Sequence, residues 1–369
     1  MHDALDRADN AGNPYLTAPY GPVADECSMT ELAVDGELPR DLVGTYVRNG
    51  PNAKYPPKGR YHWFDGDGML HAVTFEDGRA HYRNRWVATA HLGEEDAARG
   101  ALWTGLLHPV GANPAHAPYK DTANTDVIFF AGELLTTWYI CGLPYRVDAR
   151  TLDTRGVHDF GAGKPRRISA HSKVDLATGE LLYFSYGPRP HLSYGVVDSA
   201  GHLAHSVDIA VPGPRLPHDM AVTENHTVLM DLPVFHTEQG IRDKRWRIAF
   251  HRDVPARFAV LPRRGSAAEV RWFEAEPCYI YHTVNAWEDG DEVVMVACRC
   301  DDPRPEPDYQ RDGTWARMMA NLRLRARLYE WRFNLVTGQT RERDRQDRRA
   351  RKCEGHRVAG AESHGHDDD

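Results

Sequence analysis

A chain of 369 residues can bury one large core or two average ones. Hydrophobic content of 41%, aromatic of 10% and charged of 27% is globular composition and excludes a wholly disordered chain. The net charge of −8 argues against nucleic acid as a partner, because such proteins need a basic footprint.

Residues 1–7 lack the basic and apolar regions of a signal peptide, and no apolar run is long enough to span a bilayer. Six scattered cysteines, with Cys298 and Cys300 alternating in an expected strand, read as buried free thiols, so a reducing cytoplasm is expected. Residues 1–40, rich in Pro, Gly, Asp and Ala, read as an arm lying over the domain that starts at residue 41. Residues 42–51 read as a strand closed by a turn at Gly50 and Pro51, and the aromatic and glycine-dense run 60–73 as a tight packed bend. An insertion at 90–107 reads as short and amphipathic, 301–308 as an extended loop, and 315–328 as a short helix leading into a strand at 328–335. After Thr340 a charged run without apolar periodicity, then a Gly/His/Asp tail, read as a disordered segment over 341–369.

The most informative pattern is a repeat. His171, His218 and His282 each open a short polar run, a turn signal and an apolar strand, at 180–184, 227–232 and 292–297. The histidines are 47 and 64 residues apart, intervals that suit one propeller blade each, the longer with an inserted loop. Equivalent positions of successive blades face one axis, so three imidazoles would meet there and form a site suited to Fe, Zn, Cu or Ni. In a chain with 20 histidines most are ordinary surface or hydrogen-bonded residues, and only the repeat sets these three apart. His71 opens the same grammar at 71–79 and is a fourth candidate on pattern alone.

Three motifs, Arg48-Asn49-Gly50-Pro51, the run from His62 to His71 and Tyr82-Arg83-Asn84-Arg85, closely resemble the N-terminal motifs of the carotenoid cleavage oxygenase family. That family includes the retinoid isomerase and bacterial stilbene-cleaving oxygenases. Asn124-Thr125-Asp126, residues 142–148 and 170–175, Pro217-His218-Asp219-Met220 and residues 328–332 continue the resemblance, which covers roughly 15–340. It implies an all-β, seven-bladed β-propeller with a loop and helix dome and a non-haem Fe(2+) on the axis. It carries metal ligation onto His171, His218 and His282, leaves His71 structural, and places Thr125 beside the open iron position. Phe64, Trp63 and Tyr46 become candidate tunnel residues, and the 90–107 insertion a candidate roof.

The implied chemistry is cleavage of a conjugated carbon–carbon double bond by O2 to two carbonyl products, on an apolar polyene taken up through peripheral membrane contact. Relatives often place a glutamate just before the Leu-Pro-Tyr motif to orient a ligand histidine; Trp138-Tyr139-Ile140-Cys141 stands there, so another acceptor is expected. Stilbene-cleaving relatives add a lysine at that place, and its absence favours a carotenoid or apocarotenoid. Family members continue past residue 340 with further blades and a fourth histidine ligand, so an incomplete propeller is expected. Three competing readings follow: a catalytically silent propeller, a stilbene-cleaving dioxygenase, and a three-histidine zinc site that activates water. His356, His364 and His366 are candidate substitutes for the fourth ligand, though Gly and Asp neighbours give them no defined position.

Overall fold

The protein is described by a computed structural model covering residues 10–243 and 247–346. Its strands form five four-stranded antiparallel sheets and one two-stranded hairpin. The first sheet combines β1 (Ser28–Met29), β2 (Gly44–Pro51), β3 (Gly68–Glu76) and β4 (Arg79–Trp86) in the order β1-β4-β3-β2. The second runs consecutively through β5 (Asp126–Phe130), β6 (Glu133–Thr137), β7 (Tyr145–Val147) and β8 (Thr154–Val157). The third does the same with β9 (Lys173–Val174), β10 (Leu181–Tyr186), β11 (Leu192–Val197) and β12 (Leu203–Asp208). In the fourth, β13 (Ala221–Val222) and β14 (His226–Asp231) are followed by a separate hairpin, β15 (Val234–His236) with β16 (Ile248–Phe250). The sheet then resumes as β17 (Ala256–Pro262) and β18 (Arg271–Ala275). The fifth is β19 (Tyr279–Asp289), β20 (Glu292–Cys300), β21 (Arg327–Asn334) and β22 (Thr340–Asp344).

The apolar residues of these strands are buried between one sheet and the next. Leu70, Ala72, Leu134 and Val147 join sheets one and two; Leu135, Ile168, Tyr183 and Val197 join two and three. Phe184, Tyr194, Leu229 and Leu261 join three and four, and Phe258, Phe273, Trp331 and Phe333 join four and five. Because a sheet in the middle of such a stack is covered on both faces, its central strands are nearly continuous apolar runs, as in Leu181–Tyr186. Edge strands of neighbouring sheets touch, β2 with β5, β5 with β9 and β13 with β19, so the sheets are arrayed around a common line. Repeated meanders packed face to face are propeller-like geometry. Turn glycines at positive φ, Gly179 at 71° and Gly290 at 59°, close the hairpins that follow His171 and His282, where the sequence marks turns.

Four expectations change. The arm over 1–40 supplies a strand: Ser28 and Met29 pair with Arg83 and Tyr82 and complete the first sheet. The charged run after Thr340 begins as strand β22, paired with β21 through Asp344. Its arginines are matched to acids on β20 and β21, Arg341 to Glu292 and Arg345 to Glu330. Residues 347–369, with the rest of the expected tail and its three histidines, lie outside the described residues. The insertion at 90–107 forms a nine-residue helix, Ala90–Ala98, whose buried positions are Leu92 and Glu95, so a charge stands in the packed face. Glu95 is answered by Lys120 at 2.6 Å and by the Leu102 N–H at 2.9 Å. Finally, Tyr46 is 64% exposed and not part of an enclosed tunnel.

The bend at 60–73 is tight for a steric reason. A Cβ on Gly66 would lie 2.6 Å from the Asn52 nitrogen, and one on Gly68 2.7 Å from the Ala123 carbonyl oxygen. Only glycine lets the backbone approach this closely. Asn124 seals the junction by donating to the Phe64 and Gly66 carbonyls. Among the described residues no helix is long and apolar enough to cross a membrane, which does not bear on strands.

Candidate metal centre

The three repeat histidines come from three sheets. His171 and His218 stand in the loops just before β9 and β13, while His282 lies inside β19, where pairing with β20 slips on both sides of Thr283. Such a bulge re-aims a side chain without ending the strand. His171 adopts a left-handed backbone, φ 60°, a conformation uncommon for a residue with a Cβ and often found at functional positions. The neighbouring backbone is held by the Ser169 N–H on the Phe184 carbonyl at 2.9 Å.

One nitrogen from each of the three rings falls within 4.8 Å of the others. The Nε2 atoms of His171 and His218 are 3.2 Å apart, and the ring centroids are separated by 4.9, 5.0 and 5.3 Å. Asp126 Oδ2 lies 3.1 Å from His171 Nδ1, which places the neutral ring's proton on Nδ1 and leaves the Nε2 lone pair pointing inward. Burial and the adjacent His171 and His282 rings push His218 down to about 3, so it is neutral at physiological pH. His282 is lowered too, by loss of water first and by His171 next. These residues fit a first-row metal ion. Two nitrogens bound at about 2.0–2.1 Å with a right-angle to tetrahedral bite are roughly 2.8–3.4 Å apart, which the 3.2 Å between His171 and His218 matches. Among the described residues no other His, Cys, Asp or Glu joins the group.

Around it lies an aromatic wall. Tyr281 meets the His218 ring edge-on at 5.4 Å, Tyr139 is 6.2 Å from it, and Phe64 packs edge-on against Tyr139 at 5.9 Å. Phe64, 48% exposed, thus reaches the centre only through Tyr139. Trp63 instead stacks on Tyr15 at 4.9 Å, within a separate cluster that holds the arm to Trp315 and Met318. Thr125 does not offer a free hydroxyl: it donates to Asn124 Oδ1 and accepts from the Tyr139 N–H, both at 3.1 Å. It is the next residue, Asp126, that reaches a histidine. His71 is engaged elsewhere, with Nδ1 2.7 Å from the Tyr82 hydroxyl.

A second grouping, His91, Glu94 and His116, has similar spacing. Its chemistry differs. His91 Nδ1 accepts from the Asp121 N–H at 2.7 Å, which fixes the ring proton on Nε2 and leaves no inward lone pair for an ion. Tautomer thus separates two clusters that distance alone does not.

Residues 20–366 match the family model of the retinal pigment epithelial membrane protein, RPE65. The chain belongs to this family, that of the carotenoid cleavage oxygenases. The match runs past residue 340, where the motif resemblance ends. This oxygenase-family chain is 35% identical over 352 residues to carotenoid 9,10(9′,10′)-cleavage dioxygenase 1 of Phaseolus vulgaris, with 89% of this chain and 64% of that one aligned. It is 34% identical over 393 residues to a carotenoid cleavage oxygenase of Mycobacterium tuberculosis, covering 93% and 74%. Among solved structures, a lignostilbene dioxygenase of Pseudomonas brassicacearum superposes with a TM-score of 0.78 at 30% identity, over 90% of this chain and 71% of that one. The chain thus spans just under two thirds of the bean relative's length. Members of the family use non-haem iron.

Proposed function

We propose that this chain is a non-haem iron dioxygenase that cleaves a conjugated C=C bond of a carotenoid or apocarotenoid, with His171, His218 and His282 holding Fe(2+). The observation that carries this reading is the meeting of three imidazoles with the Asp126 carboxylate on the outer nitrogen of His171. Five sheets around a common line are then read as consecutive blades of a seven-bladed propeller.

When bound, ferrous iron supplies the redox chemistry and open coordination that dioxygen requires. The residues around it have separate tasks. Asp126 keeps His171 in the Nδ1–H tautomer. Burial keeps His218 free of a competing proton. Phe64, Tyr139 and Tyr281 offer ring faces and edges to a flat polyene and exclude water from beside the ligands. In the overall reaction the C=C bond breaks and each carbon takes one atom of dioxygen, so no outside reductant is needed.

The lignostilbene dioxygenase match favours a second reading, cleavage of a stilbene. It is weakened by the lack of a phenol-binding lysine at residues 138–140, where Trp138, Tyr139 and Ile140 stand. The test is to load purified protein with Fe(2+) under nitrogen, measure iron per chain, and add carotenoids, apocarotenals or a hydroxystilbene before admitting ¹⁸O2. Label in both carbonyl products of a polyene is the expected result. Stoichiometric iron with no oxygen-dependent loss of any substrate would make this a silent member of the family, and His218→Ala retaining full cleavage would remove the assigned site.

A further inference from the structure

His171, His218 and His282 are separated by long stretches of chain and emerge from sheets three, four and five, so nothing local sets their mutual distances. Yet one side chain touches all three segments. Asp219, next to His218, is 2% exposed. Its Oδ1 lies 2.6 Å from Nζ of Lys173, two residues after His171, and 2.7 Å from the Met220 N–H. Its Oδ2 accepts from the N–H of Thr283 at 2.7 Å, next to His282, and lies 2.8 Å from the Thr283 hydroxyl. That hydroxyl is also 3.1 Å from the Met220 carbonyl, so its one proton is shared between two acceptors on the same turn. The Thr283 N–H points at Asp219 where β19 slips its register against β20. The bulge that aims His282 therefore coincides with the donor that fixes it.

We propose that Asp219 is a positioning residue for the metal centre, a single buried carboxylate that ties the three ligand-bearing segments together and sets their spacing. The inference rests on the three-histidine reading above. Asp219 faces no histidine nitrogen directly and acts through Lys173 and Thr283. A buried carboxylate holding four donors in charge-assisted bonds is stiff, whereas an amide cannot accept from Lys173 and Thr283 together without turning its own N–H groups on one of them. Asp219→Asn should therefore leave the sheets folded and loosen the triad. Outer partners of metal ligands commonly influence affinity by about 10–100-fold, and the expected loss lies in that range.

Co(2+) is the probe, because its visible spectrum reports coordination and chelator competition gives its Kd without turnover. The comparison variant is Asp231→Asn: Asp231, 4% exposed in the same sheet, is bound by Arg257 and by Arg215, three residues before His218, and so ties to one ligand-bearing segment without linking it to the other two. Asp219→Asn should weaken Co(2+) binding about 10–100-fold and alter the visible bands, while Asp231→Asn should lower the unfolding temperature and leave Kd and spectrum unchanged. If Asp219→Asn does not fold, Lys173→Met, which removes one arm at a partly exposed position, should weaken binding about tenfold. Wild-type affinity in Asp219→Asn, or in Lys173→Met where Asp219→Asn does not fold, overturns the proposal. So does an equal loss in Asp231→Asn. Failure of the wild-type protein to bind either Co(2+) or Fe(2+) would instead strike the three-histidine reading itself.

Discussion

The depressed basicity of His218 has a thermodynamic consequence that needs neither metal nor substrate. An unfolded histidine takes up its proton near pH 6.5, whereas burial and two neighbouring imidazoles hold folded His218 near 3. Well above pH 6.5 both states are neutral and the group contributes no pH dependence. As pH falls through 6.5 the unfolded chain gains a proton that the folded ring refuses, so stability is lost until about pH 3. Each unit is about 1.4 kcal/mol, hence roughly 2 kcal/mol between pH 6.5 and 5.0, trimmed towards 1 by the ring's partial exposure. The assay is urea unfolding in excess chelator at pH 7.5, 6.5 and 5.0, for wild type and His218→Gln. Other histidines pushed down by burial, such as His62 at about 4, contribute alike to both proteins. Wild type should lose about 1–2 kcal/mol more than the variant between pH 6.5 and 5.0, and only about 0.4 kcal/mol more between 7.5 and 6.5. Equal losses in the two proteins would refute the argument that desolvation governs this ring.

Asp126→Asn should weaken Co(2+) or Fe(2+) binding about tenfold, the lower end of the usual range because the carboxylate is 29% exposed; chelator competition measures it. His71→Ala should leave metal content per chain unchanged, since the His71 ring is bound to the Tyr82 hydroxyl, and elemental analysis would show any loss. Phe333→Ala, in the core between sheets four and five against Phe258 and Phe273, should cost about 3–5 kcal/mol in denaturant unfolding.

The parts of the fold that could be read from sequence are those whose signal is local. A polar run, a turn and an apolar strand recur because each of these sheets begins with a strand, closes a hairpin, with a glycine after His171 and His282 and with Thr223-Glu224-Asn225 after His218, and buries its second strand. The edges carry no such signal. Ser28–Met29 is two residues long, too short for any periodicity, and is a strand only because Arg83 and Tyr82 present a free edge to it. Strand β22 reads as disorder because its stabilising partners are acids. Glu330, 2% exposed, gathers Arg332 from its own strand and Arg343 and Arg345 from across the pair, contacts that composition reports only as alternating charge.

The candidate centre divides along the same line. Three histidines share a position in a repeat, so one sequence can point to them together; the carboxylates that orient them share nothing. Asp126 lies in β5 and meets His171 across the boundary between two sheets, whereas Thr125, the motif residue that the resemblance places at the metal, spends its hydroxyl on Asn124 and the Tyr139 N–H. Asp219 sits beside His218 in the Pro217–Met220 motif, yet its role depends on Lys173 and Thr283 arriving from other sheets. His91, Glu94 and His116 make the converse case, because their spacing suits an ion and only the Asp121 N–H on His91 Nδ1 argues against it. Ligand identity is thus written in spacing, whereas the protonation state that makes a histidine a ligand is written in contacts that exist only after the sheets have packed.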